Sequence, residues 1–196
     1  MKKLVVILMI TVLALASVFA VDFSKNRVTF TFTPFAVDWE VPVTPVEGIN
    51  ETEMSKFGLA GAASFLFSHT EEFGLELSAK FAGYHFENFY YPVDKGGINK
   101  YVLGLMAKEV ITVPLSERVA FMAKLGAGAN MTVAQTTRNW HFAFGVDADA
   151  TYAFDDKLSF VGGVAFEMDF SHKSTKSFGA CTSRYLSVQA GVISYL

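Results

Sequence analysis

The sequence has little of what soluble domains and helical membrane proteins depend on. Its 196 residues include a single cysteine, Cys181, so no internal disulfide can form. Charged residues make up 18%, below the roughly 25% of a typical soluble domain, and the net charge of −3 provides no basic surface for nucleic acid. Hydrophobic residues nevertheless make up 52%, while beyond residue 20 no apolar run approaches the roughly 20 residues of a transmembrane helix. The hydrophobicity is therefore spread thinly along the chain.

The first 20 residues have the three regions of a secretory signal peptide. Two lysines at residues 2–3 precede an apolar segment, 4–15, and Val18 and Ala20 stand at the usual positions before a cleavage site. We predict cleavage after Ala20, with an uncleaved anchor helix as the alternative. The mature chain, 21–196, is then one domain in the cell envelope.

Apolar and polar residues of the mature chain alternate with a period of two, which is typical of β-strands and not of helices. In one segment Phe121, Ala123 and Leu125 alternate with Lys124 and Gly126. The eight alternating segments are 28–41, 57–67, 73–85, 101–113, 119–133, 142–154, 158–170 and 185–196. Their lengths match strands that cross a bilayer, which need about 9–11 residues, and exceed the 5–6 residues of average globular strands.

Two local features interrupt this pattern. The phase of the first segment slips at Pro34, which predicts a β-bulge. Glu109 falls on the apolar face of its segment. The predicted connections alternate in length, with long ones at 42–56, 87–100, 134–141 and 171–184 and short ones at 68–72, 114–118 and 155–157.

The size of the apolar side chains indicates which face is outside. Most of the 20 phenylalanines belong to the apolar rows, and the interior of an eight-stranded barrel holds only modest side chains or one small ligand. The apolar rows therefore face outward, and Gly, Ser, Thr, Asp, Glu and Lys fill a narrow lumen. A soluble, lipocalin-like binder would need the opposite arrangement. The sequence predicts an all-β, eight-stranded, antiparallel, up-and-down transmembrane β-barrel.

In this architecture the chain resembles the small eight-stranded bacterial outer-membrane barrels of the OmpA, OmpX and OmpW kind. The resemblance implies an outer-membrane location, short turns and both termini in the periplasm, and long loops at the cell surface. It also implies that the assembly machinery reads the last strand. In such barrels that strand usually ends in an aromatic residue. Gln189 and Gly191 fit the expected pattern, whereas the last residue here is Leu196 and the aromatic Tyr195 stands one place early.

Folding each hairpin about its connection places several charged residues together inside the lumen. The predicted lumen charge network consists of Glu76, Lys80, Lys108, Lys124, Asp147 and Asp149. Three lysines on adjacent strands repel one another unless carboxylates reach them. We interpret the network as an ion-pair plug, with a basic, anion-selective constriction as the alternative.

Four further carboxylates lie nearer the predicted outer mouth: Asp38, Glu40, Glu167 and Asp169. Paired carboxylates can serve as acid and base in catalysis. A solvated acidic rim is the interpretation that we prefer. The four histidines are scattered and no metal-ligand spacing occurs, so we predict no metal, no cofactor and no catalytic site.

Aromatic residues in the predicted loops, Phe89, Tyr90, Tyr91 and Trp140, are candidates for contact with an external ligand or a host surface. The leading functional prediction is a structural and surface-interaction barrel that exposes four long loops. The alternative is a narrow channel or transporter for small, possibly hydrophobic solutes, as the OmpW-like branch implies. The expected partners are outer-membrane lipid and the barrel assembly machinery. We expect a monomer that binds no nucleic acid.

Overall fold

The computed structural model describes residues 26–42, 53–55, 57–86, 98–134, 137–170, 172–173 and 180–196. The predicted signal peptide lies outside them. Within them the chain forms eight long strands and two strands of two residues. In chain order these are β1 (Arg27–Pro42), β2 (Glu53–Met54), β3 (Phe57–Ser68), β4 (Phe73–Phe86), β5 (Ile98–Pro114), β6 (Val119–Ala134), β7 (Thr137–Ala153), β8 (Leu158–Phe170), β9 (His172–Lys173) and β10 (Ala180–Tyr195).

The eight long strands close into a barrel. Each pairs antiparallel with its neighbours, and β1 pairs with β3 on one side and with β10 on the other. Their lengths run from 12 residues in β3 to 17 in β5 and β7. The predicted eight-stranded antiparallel barrel is confirmed. Closure pairs both edges of the sheet, which would otherwise be sites of aggregation.

One of the four predicted long loops is wrong, and two others are shorter than predicted because β5 begins at Ile98 and β10 at Ala180. Residues 134–141 were expected to form a long loop, but the pairing between β6 and β7 continues to Ala134 and Thr137. Trp140 therefore lies in a strand and not in a loop. Polar residues such as Arg138 and Asn139 ended the apolar alternation, whereas the backbone ladder needs no apolar side chains to continue.

The bulge predicted at Pro34 is confirmed. The register of β1 shifts between Phe32 and Phe35 against β10, and between Thr33 and Ala36 against β3. Before the shift the odd-numbered residues, such as Thr33, point inward. After it the even-numbered residues do, and Asp38 is consequently buried in the lumen. One extra residue thus reverses the two faces of the strand.

The distribution of side chains is inverted relative to a soluble protein. Large apolar residues cover the outside, as at Leu125, which is 53% exposed, whereas lysines, carboxylates and amides are buried inside. A soluble domain of this size buries its apolar residues and exposes its charges. No helix in the described part of the chain is long and apolar enough to cross a membrane.

Candidate functional site

Five residues of the predicted lumen network form a layer across the half of the barrel nearest the short turns. We call this layer the ion-pair layer. It consists of Glu76, Lys108, Lys124, Asp147 and Asp149. The Nζ atom of Lys124 lies 2.9 Å from Oε2 of Glu76 and 3.1 Å from Oδ2 of Asp149. Lys108 Nζ donates to Asp147 Oδ2 at 2.6 Å. All five residues are buried, so each lysine is compensated by a carboxylate where water has little access.

Strand register explains why these groups meet. Lys124 and Asp147 are directly paired between β6 and β7, so both side chains point to the same face. Asp149 lies two residues further along β7, opposite Gly163. A Cβ atom at Gly163 would collide with the Asp149 carboxylate and with the backbone carbonyl of Ala148, so the glycine provides the space for this close approach of β7 and β8. Gln189 Nε2 completes the layer by donating to Asp149 Oδ1 at 2.8 Å.

Lys80 belongs to a second group nearer the outer end. We expected it to share the carboxylates of the ion-pair layer, but its Nζ atom lies 2.7 Å from Glu167 Oε1. Asn130 Nδ2 donates to the same oxygen at 2.5 Å and to Asp169 Oδ1 at 2.7 Å. Tyr185 Oη donates to Asp169 Oδ2 at 2.7 Å. The two carboxylates are held side by side because a lysine, an amide and a phenol donate to them.

The outermost group joins the beginning of β5 to β1 and β10. Lys100 Nζ lies 2.7 Å from Asp38 Oδ2, and both side chains are 0% exposed. The same ammonium donates to Ser183 Oγ at 2.7 Å and lies 5.3 Å from the centroid of the Tyr185 ring. Tyr84 packs against Tyr185 with their ring centroids 5.5 Å apart. These contacts close the lumen near its outer end.

The interpretation of a solvated acidic rim is therefore wrong for Asp38, Glu167 and Asp169, which are all buried. The bulge in β1 turns Asp38 into the lumen, and inward-facing cations and amides enclose all three carboxylates. Glu40 lies in β1, but its side chain is outside the described residues.

An apolar layer closes the end of the lumen nearest the short turns. Its members, which we call the apolar plug, are Leu66, Val110, Met122, Val161 and Ile193. Val110 and Met122 each lie one inward position closer to the turns than the lysine on the same strand. Beside the plug, the guanidinium group of Arg27 donates hydrogen bonds to Met122 Sδ at 3.0 Å and to Thr112 Oγ1 at 3.3 Å. Hydrophobic constrictions block ions because water does not fill them.

A small cavity remains between these closures. Its volume is about 60 Å³, enough for a few waters at the ~10–15 Å³ that each one needs. Threonines 29, 31 and 33 line one side of it, and Lys80 and Lys108 line the other. The strands β1, β3 and β10 contribute small hydroxyl side chains, whereas β5 to β8 contribute most of the charges.

The other predicted site residues do not join this network. Phe89, Tyr90 and Tyr91 lie outside the described residues. Trp140 is 66% exposed on the outer wall, where an aromatic residue suits the interface between lipid and water. Among the described side chains no group of three or more His, Cys, Asp or Glu residues could hold a metal ion.

Sequence reasoning missed several members of the network. Lys100 was assigned to a loop, although its position relative to Val102 and Gly104 places it on the inward face. Asn130 and Tyr185 also face inward, but uncharged residues gave no reason to single them out. The apolar plug was missed because isolated apolar residues at inward positions, such as Met122, look like ordinary exceptions to the alternation of apolar and polar residues.

Comparison with solved structures shows the same architecture. The chain matches a major outer-membrane protein from Thermus thermophilus with a TM-score of 0.56 and 11% identity, covering 87% of this chain and 98% of that one. Neisserial surface protein A matches with a TM-score of 0.54 and 12% identity over 87% and 97%. The outer-membrane protein AlkL matches at 0.50 and 13% over 90% and 93%. No protein-family model and no curated protein matches the sequence.

These likenesses establish the class of fold. The protein is an eight-stranded antiparallel β-barrel of the architecture found in small outer-membrane proteins, which is the class that the sequence pattern predicted. At 11–13% identity the similarity concerns the fold alone. The function of this protein is therefore inferred from its lumen, which contains three polar groups and, nearest the short turns, the apolar plug.

Proposed function

We propose that the protein is an integral outer-membrane barrel with a closed lumen, serving as a rigid scaffold that presents its outer connections at the cell surface. The inverted distribution of side chains supports the membrane placement, because the apolar outer wall would otherwise be exposed to water. The filled lumen is the observation that favours a scaffold over a channel. Buried ion pairs close its middle and outer parts, and the apolar plug closes the end nearest the short turns.

Conductance of the refolded protein in a planar lipid bilayer tests this proposal. We expect no steady single-channel current from the wild type. We expect no current either from variants that weaken a single closure, such as Lys124→Ala or Met122→Ala combined with Ile193→Ala, because the outer contacts of Lys100 and the remaining closure persist. Steady current from the wild type would refute the closed lumen.

A narrow channel for small solutes is the second candidate, and the cavity beside Thr31 and Lys108 is the observation that favours it. The three lysines of the predicted network all have carboxylate partners at 3.1 Å or less, which argues against an anion-selective constriction. Anion-selective current that Lys108→Met abolishes would support this second function.

The proposed surface role requires that the long connections lie at the cell surface and the short turns in the periplasm. Epitope insertion tests this orientation. An epitope inserted between residues 92 and 93 should react with antibody on intact cells. An epitope inserted between Glu117 and Arg118, in the turn after β5, should react only after the outer membrane is opened. The reverse result would refute the orientation.

We also propose that the last strand engages the barrel assembly machinery. Leu186, Val188 and Val192 are exposed apolar residues of the outward row of β10, which continues through Ser194 to Leu196. Leu196→Phe should therefore assemble at least as fast as the wild type in reconstituted assembly assays, whereas Leu196→Asp should assemble more slowly. Equal assembly of Leu196→Asp would refute the role of this residue.

A further inference from the structure

Glu109 is an exception to the inverted pattern. Among the described side chains of the eight long strands, it is the one carboxylate that points outward. It lies in the outward row of β5 between Ala107 and Ile111, and it is exposed on the outer wall. The function proposed above gives this residue no role.

The surroundings of Glu109 are apolar on both sides. Its direct neighbours across the sheet are Leu75 on β4 and Leu125 on β6. Ile111 and Val113 continue the exposed apolar row towards the short turn. With a rise of about 3.3 Å per residue and a tilt of about 40°, Glu109 lies about 10 Å above Val113 along the barrel axis. The carboxylate is therefore placed against the hydrocarbon of the leaflet on the short-turn side.

No group in the described part of the chain compensates this carboxylate. The nearest lysine in sequence, Lys108, points inward and is bound to Asp147. An ionisable group within a membrane is costly, and such residues usually have a partner or a function. The partner must then come from outside the chain.

The wall beside Glu109 leaves room for a partner. Residues diagonal to it on β6 are Ala123 and Ala127, on either side of Leu125. Their methyl groups leave shallow positions beside the larger exposed side chains of the wall, such as Leu105 and Phe121. A polar headgroup can therefore approach the carboxylate diagonally, over Ala123 or Ala127, and pass to either side of Leu125.

A second copy of the chain does not supply the missing cation. The described outward-facing cations on the strands, Arg138 and Arg184, lie near the outer ends of β7 and β10. Arg118 and Lys157 lie in the turns, below the level of Glu109. A copy with the same orientation in the membrane would place none of these at the depth of the carboxylate.

We propose that Glu109 binds the primary ammonium headgroup of a phospholipid in the periplasmic leaflet. The ammonium donates hydrogen bonds to the carboxylate and compensates its charge, which a quaternary ammonium headgroup without N–H groups does less well. Lipid is the occupant because it surrounds the wall in any membrane, and the local thinning of the bilayer that accompanies a charge in the hydrocarbon brings the headgroups of the near interface towards Glu109. The inference rests on the proposed membrane placement and not on whether the lumen conducts.

Lipid retention measured by native mass spectrometry tests the site. The protein is extracted from micelles that contain equal amounts of phosphatidylethanolamine and phosphatidylcholine. We expect the wild type to retain several-fold more ethanolamine lipid, and Glu109→Gln to retain both lipids equally. Glu117→Gln, which removes an exposed carboxylate in a turn, should behave as the wild type. Equal retention of the two lipids by the wild type would overturn the proposal, as would a dimer that Glu109→Gln abolishes.

A second variant separates the site from the membrane placement. Glu109→Leu should raise the midpoint urea concentration of unfolding in phosphatidylcholine vesicles and raise it less in vesicles rich in phosphatidylethanolamine. The same increase in both lipids would overturn the headgroup site while leaving the placement intact. If the urea midpoint increased in neither lipid, Glu109 would not lie against hydrocarbon, and the proposal would be refuted for that reason.

Discussion

Substituting Lys124 by methionine keeps most of the length of the side chain and removes its charge. In the wild type this ammonium lies within 3.1 Å of both Glu76 and Asp149, and the lysine side chain is 4% exposed. The variant leaves two buried carboxylates without their cation. Breaking a buried pair from one side costs about 3–5 kcal/mol when the remaining charge cannot reach water. Asp147 is not orphaned, because Lys108 holds it.

The free energy of unfolding in urea, measured in lipid vesicles by tryptophan fluorescence, gives this cost directly. Two matched variants serve as controls. Lys124→Met combined with Glu76→Gln and Asp149→Asn removes the orphaned charges and should recover most of the loss. Lys80→Met breaks a pair whose lysine is 19% exposed and should cost less.

A loss below about 1 kcal/mol in Lys124→Met would refute the reasoning, since that value is typical of solvent-exposed ion pairs. It would mean that water fills the lumen at this level. Such a result, together with wild-type conductance, would favour the channel function.

Three further predictions concern single positions. Leu125→Arg places a charge on the outer wall and should cost about 2–4 kcal/mol in vesicles, whereas Glu117→Arg in a turn should cost little; equal costs would contradict the assignment of faces. Gly163→Ala forces a methyl group against Asp149 and the backbone carbonyl of Ala148 and should cost about 1–3 kcal/mol, and an unchanged urea midpoint would show that β7 and β8 can move apart there. Tyr185→Phe removes the donor to a buried carboxylate oxygen and should cost about 1–3 kcal/mol; the same urea denaturation checks it, and no loss would mean that water replaces the hydroxyl.

The alternation of residues was sufficient to predict the strands because it reflects a local physical constraint. Successive side chains on a strand point to opposite faces, so Lys124 beside Leu125 assigns both faces at once. The excess of phenylalanine then indicated which face is outside. Even the bulge at Pro34 had a signal, since the apolar phase reverses there.

Partner choice within the lumen could not be predicted in the same way. It depends on strand register and stagger, so a shift of one or two residues changes which charges meet. Lys80 was expected to use the carboxylates near Lys124 and instead binds Glu167. Lys100 was assigned to a loop because strand ends carry little apolar pattern.

By itself the sequence determined that this chain forms eight long strands with an apolar outer face, because both properties follow from nearest-neighbour alternation and side-chain size. Only the tertiary structure decided which side chains meet inside the lumen. Asp38 and Lys100 are far apart in sequence, as are Leu66 and Ile193, and each pair meets only after the barrel closes. The closing register of β1 and β10 brings distant residues into one narrow interior, and no local pattern encodes which of them will touch.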